Sequence, residues 1–153
     1  MEETKISNTL VGVAGVHYVV CELSRRGVIA LPTTRNTAGY DVIVVRRDGK
    51  KHANLQVKTS GNPDAKFWPV AKHVEGIHRG ENEFYVLLRG LQKGSEVEAY
   101  MLEGRQVVKE VKGHYKGLRG EKIKKLSHTA CTCGPKPLTN GLLSGGSGFS
   151  ELA

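Results

Sequence analysis

The chain has 153 residues, 39% of them apolar, and its 23 Lys and Arg against 15 Asp and Glu give a formal charge of +8. That length suits one domain with one core, and the absence of any apolar run long enough for a bilayer excludes a membrane-spanning helix. Cys21, Cys131 and Cys133 are too few and too unevenly spaced for a disulfide framework. The positive charge suits a polyanionic partner such as nucleic acid or an anionic surface, although charge of either sign also keeps a protein in solution. The segment "MEETKISNTLVGV" has neither the positive head nor the unbroken apolar stretch of a secretion signal, so the expected location is cytoplasmic.

In chain order, Asn8 or Thr9 can cap a helix from about Leu10 to Arg26, with Val13, Val16, Val20 and Leu23 as its apolar stripe and Gly27 as its left-handed end. "VIALP" reads as a short strand and "TTRNTAG" as a loop of turn-favouring residues. Two strands follow around Asp48-Gly49, a dipeptide that favours a two-residue hairpin turn. "GNPDAKFWPVAKHVEG" starts as a loop and could hold a short helix around Val70 to Val74. "EFYVLLRGL" is nearly continuous in apolar residues, as a central strand is, whereas "EVEAYML" alternates, as a half-exposed strand does. A helix, "RQVVKEVK", comes next. The expected architecture is α+β, with a mixed central sheet flanked by helices over residues 1–112 and a flexible, basic, Gly/Ser-rich tail over residues 113–153.

The hairpin carries the chemistry. A turn at Asp48-Gly49 pairs positions whose numbers sum to 97, so Asp41 faces Gln56, and Lys58 shares that face because strand side chains alternate. Val42, Val44, Leu55 and Val57 fall on the opposite face and form a core surface. A carboxylate and an amide oxygen can hold Mg²⁺ while leaving room for water and phosphate. An ammonium beside them can orient water and offset charge on a phosphate. The plain alternative is one solvated face of an antiparallel sheet.

"GYD" followed by "LQVKTS", after a helix ending in "ELSRRG", resembles the PD-(D/E)XK nuclease superfamily, the restriction-endonuclease-like proteins that include Holliday-junction resolvases and intron-associated homing endonucleases. The resemblance spans roughly Val11 to Leu102 and rests on the order helix, strand, Asp strand, x-x-K strand. It implies a Mg²⁺-dependent DNA endonuclease, with Mn²⁺ able to substitute. Asp41 would be the principal metal ligand, Gln56 would stand at the usual acidic position, Lys58 would be the catalytic lysine, and the Val57 carbonyl would be a further ligand. Double-strand cleavage would then need a homodimer or two successive nicks. Two positions depart from the pattern. Gln56 removes one negative charge, and Gly15-Val16 stands where many relatives carry Gly-Glu. Glu22 is the one acidic residue of the helix, but six residues is not a whole number of turns, so it does not simply replace an acid at Val16. It remains a candidate helix acid, against the reading that it pairs with a neighbouring arginine.

Other candidates are peripheral. Arg35, Asn36 and Thr37 lead into Asp41 and could touch phosphate or bases, or form a plain connecting loop. Lys66, Trp68, Lys72 and His73 place an aromatic among cations, which suits a nucleic-acid surface, while a lone Trp equally suits a core. Lys116, Arg119, Lys122, Lys124 and Lys125 outnumber Glu121 and could track phosphates or form a solvated linker. His114, His128, Cys131 and Cys133 lack paired Cys-x-x-Cys spacing, so a zinc site is not expected. Against the nuclease stands a nuclease-like fold that only binds nucleic acid, and a basic protein-interaction module.

Overall fold

A computed structural model describes residues 6–34, 39–65, 68–71, 80–91, 96–117 and 128–131. The first helix, α1, spans Asn8–Arg25, and its cap is Ser7, one residue before the expected Asn8 or Thr9. Ser7 is extended (φ −65°, ψ 146°), and its hydroxyl accepts the Leu10 N–H at 3.3 Å. The far end closes as expected. Gly27 has φ +82°, and the N–H groups of Gly27 and Val28 reach back to the carbonyls of Ser24 (2.9 Å) and Leu23 (3.1 Å).

The face that α1 buries differs from the apolar stripe. Val11, Gly15, Val19 and Leu23 are buried, Val16 and Val20 are half-buried, and Val13 is 42% exposed. The cause is Gly15, which has no side chain to register in an apolar pattern. A Cβ there would lie 2.0 Å from Thr59 Oγ1, so the helix lies directly against the third strand.

The strands β1 (Ile29–Pro32), β2 (Val42–Val45), β3 (His52–Thr59), β5 (Glu83–Arg89) and β6 (Glu98–Glu103) form one sheet in the order β1-β2-β3-β5-β6. All neighbours are antiparallel except β3 and β5, so the sheet is mixed and the fold is α+β. The hairpin register holds: Val42 pairs with Leu55 and Val45 with His52, as the sum of 97 requires. The loop, however, is longer than two residues. Its turn runs from Arg46 to Gly49, closed by a Gly49 N–H to Arg46 carbonyl bond of 2.8 Å, with Gly49 at φ +71°. Two residues added symmetrically leave register and parity unchanged.

The strand β5 is central, as its continuous apolar run predicts, with Phe84 to Leu88 buried, and it divides two cores. Phe84, Val86 and Leu88 pack with Val42, Val44, Leu55, Val57 and α1. Tyr85 and Leu87 face the other side, where Tyr100 meets Val107, Val108 and Val111 of a second helix, α2, spanning Gly104–Gly117. Each such fully buried apolar side chain contributes about 1.5–3 kcal/mol. The helix α2 thus runs past Lys112.

Of the segment expected to hold a short helix around Val70 to Val74, Val70 and Ala71 are in a strand, and residues 72–74 lie outside the described residues. There β4 (Trp68–Ala71) pairs antiparallel with β7 (His128–Cys131) in a separate two-stranded sheet. Trp68 and Val70 are buried and Pro69 is exposed between them, a period of two that four residues are too few to reveal. The core role is therefore the one Trp68 takes, with its Nε1–H donating to the Leu88 carbonyl at 2.8 Å. The rest of the expected tail lies outside the described residues. Among the described residues, no helix is long and apolar enough to cross a membrane.

Candidate functional site

The strand β3 has eight residues and β2 has four, so Gln56 to Thr59 run on beyond the start of β2. The space alongside is a cleft of about 550 Å³. Its lining brings together Asp41, Gln56, Val57 and Lys58 at the open edge of β3, Asn8 to His17 of α1, and Pro32 to Thr34. The three residues expected to converge therefore do so.

Main-chain bonds hold Asp41 at the mouth of β2. Its N–H donates to the Leu55 carbonyl at 2.9 Å, one residue out of step with the ladder, as at a β-bulge. Its carbonyl accepts the Thr33 N–H at 3.0 Å, while the Thr33 hydroxyl donates to the Tyr40 carbonyl at 2.6 Å. The Tyr40 hydroxyl in turn donates to Glu83 Oε1 at 2.7 Å, and that bond, with burial, raises the Tyr40 pKa. Burial raises the neighbouring Tyr85 phenol too, helped by the charges of Glu83 and Asp41. Both phenols thus stay neutral at physiological pH.

The carboxylate itself is oriented by two donors on one oxygen. Asp41 Oδ2 accepts the Val57 N–H at 2.8 Å and the Gln56 side-chain amide. The Gln56 amide oxygen has no hydrogen-bond partner among the described residues. Lys58 lines the same cleft and makes no hydrogen bond or ion pair with another described residue. Among the described residues no three His, Cys, Asp or Glu side chains come together. One carboxylate and one amide oxygen in an open cleft still fit Mg²⁺, which takes few protein ligands and keeps most of its water.

Glu22, the candidate helix acid, is not among the residues lining the cleft. Its carboxylate pairs with Arg25 at 3.0 Å and Arg26 at 2.5 Å, and the Arg26 hydrogen bond is the main cause of its lowered pKa. The pairing with neighbouring arginines is thus the role it takes. Val16 does line the cleft, so the helix position that is acidic in the resembled pattern is apolar here.

Sequence reasoning missed His17, Asn8, Thr9, Thr33 and Thr34, all of which line the cleft. The available signal was the spacing of four from Val13 to His17, which puts the histidine on the same strip of helix as an exposed apolar residue. A second cleft, of about 560 Å³, shares Asn8 with the first and is lined by Thr59 to Asn62, the residues that follow Lys58, together with Asp64 and Trp68. Arg35, Asn36, Lys66 and Lys72 lie outside the described residues, as do Thr37, His73 and the tail cations from Arg119 to Lys125. Of the weak zinc candidates, His114 is on α2 and His128 and Cys131 are at the ends of β7, while Cys133 lies outside the described residues.

No protein-family model, curated protein or solved structure matches the chain at a significant level.

Proposed function

We propose that this chain is a metal-dependent DNA endonuclease of the restriction-endonuclease-like, PD-(D/E)XK class, hydrolysing phosphodiester bonds in the cleft beside β3. The observation that carries the reading is the convergence of Asp41, Gln56 and Lys58 on one cleft, at the edge where β3 outruns β2. The mixed sheet with a helix on each face agrees with it.

In this reading Asp41 Oδ1, the Gln56 amide oxygen and the Val57 carbonyl would hold Mg²⁺, or Mn²⁺ in its place. Bound there, the ion supplies Lewis-acid polarisation of a phosphate and of water. The Val57 N–H and the Gln56 amide fix the Asp41 carboxylate before substrate arrives, so little reorganisation remains at the moment of reaction. The Lys58 ammonium orients the attacking water and offsets charge growing on the phosphate. One such site cuts one strand, and a duplex break takes a homodimer or two successive nicks.

One observation favours a second reading, a nuclease-like module that binds nucleic acid without cutting it: Asp41 is the one carboxylate among the described residues lining the cleft, because Val16 and Gln56 are neutral. The two readings separate in one series. Binding to duplex and four-way-junction DNA is measured in EDTA over a range of salt, and Mg²⁺ is then added. Both readings predict affinity that falls steeply with salt, and the nuclease alone predicts cut product. Salt-insensitive binding, or none, would sink both.

A further inference from the structure

We propose that His17 is a third functional group of this cleft, contacting the scissile phosphodiester from the α1 side; the inference rests on the nuclease reading above. The helix presents residues to the cleft in steps of four: Asn8 and Thr9, Gly12 and Val13, Val16 and His17. The strip ends at His17, which lines the same cleft as Asp41 and Lys58.

The ionisable residues among those lining the cleft are Asp41, Lys58 and His17. His17 is exposed and makes no hydrogen bond or ion pair with another described residue, in contrast to Glu22 one and a half turns further on. Among the described residues, none bonds its ring nitrogens.

Space for the substrate lies beside it. A Cβ built on Gly12 meets nothing within 4 Å, so the helix wall is recessed there. A phosphodiester has two non-bridging oxygens that point away from each other, and binding both needs donors on two sides. Lys58 provides one from β3, and a ring N–H of His17 provides the other from α1. Asn8 also lines the second cleft, which holds the carboxylate of Asp64, so the phosphate contact is confined to the cleft of Lys58 and His17. The substrate class assigned to His17 is thus a nucleic-acid backbone phosphate.

The test compares wild type with His17→Ala, His17→Gln and Asp41→Ala. Anisotropy of a labelled four-way junction and duplex is read in EDTA, followed by single-turnover cleavage with Mg²⁺. Loss of a hydrogen bond to a charged phosphate predicts about a ten- to hundredfold fall in affinity or cleavage rate for His17→Ala. The Gln variant should recover part of it, because its amide also donates, and the thermal midpoint should be unchanged in both. If His17→Ala binds and cuts within about twofold of wild type while Asp41→Ala is inactive, less than about 0.4 kcal/mol is at stake, and the inference fails although the nuclease reading stands. If Asp41→Ala cuts like wild type, or wild type binds no DNA, the nuclease reading and this inference fall together.

Discussion

Two glycines of α1, one turn apart, should answer the same substitution with opposite signs. Replacing an interior helical Gly by Ala gains about 0.8–1 kcal/mol of helix propensity. At Gly12 nothing lies within 4 Å of the new methyl, so Gly12→Ala should keep that whole gain. At Gly15 the methyl would stand 2.0 Å from Thr59 Oγ1, 3.0 Å from Thr59 Cβ and 3.1 Å from Thr59 Cγ2. Rotation of the threonine cannot clear all three atoms. Overpacking of this kind costs about 1–3 kcal/mol, so Gly15→Ala should be neutral to about 2 kcal/mol less stable. It should also push α1 away from β3 beside Lys58 and disturb the cleft. Denaturant melts followed by circular dichroism give both values. In a Thr59→Ala background, which removes two of the three clashing atoms, the Gly15→Ala penalty should shrink. Equal stabilisation at both glycines would refute the close approach of α1 to β3.

The charge on the site can be tested through Gln56→Glu. A second carboxylate against Asp41 removes the amide bond and adds repulsion, which should cost about 1–2 kcal/mol in EDTA. Mg²⁺ should then raise the melting temperature more than it does in wild type, and an equal shift would argue against a metal at this position. Glu22 offers a pH signature. Its folded pKa is lowered by Arg26 and Arg25, so its contribution is present above the unfolded carboxylate range and is lost as pH falls through the lower folded value. Since the pair is largely solvated, Glu22→Gln should cost under about 1 kcal/mol at neutral pH. The difference should vanish in acid melts, with cleavage unaffected; a cost that persists at low pH would point to packing instead.

The site was legible because it is local. The alternation of Val42, Val44, Leu55 and Val57 against Asp41, Gln56 and Lys58 sets the register over fewer than 20 residues, and a loop longer by an even number left it intact. What escaped depends on distant partners or absent side chains. Pairing of β4 with β7 joins segments nearly 60 positions apart, and no local pattern announces it. Gly15 carries no hydrophobicity, although it decides which face of α1 is buried. The basic, Gly-containing run after Lys112 reads as a tail, yet α2 continues to Gly117, anchored by Val107, Val108 and Val111 upstream. His17 escaped because Val16, beside it, holds the position where the resembled pattern places an acid.

The most direct test of the site is single-turnover cleavage of supercoiled plasmid by wild type, Asp41→Ala and Lys58→Ala, each with Mg²⁺ and with EDTA. The account predicts cutting by wild type with Mg²⁺ alone and at least about a hundredfold loss in each variant. Cutting that survives EDTA, or that persists undiminished in both variants, would contradict it.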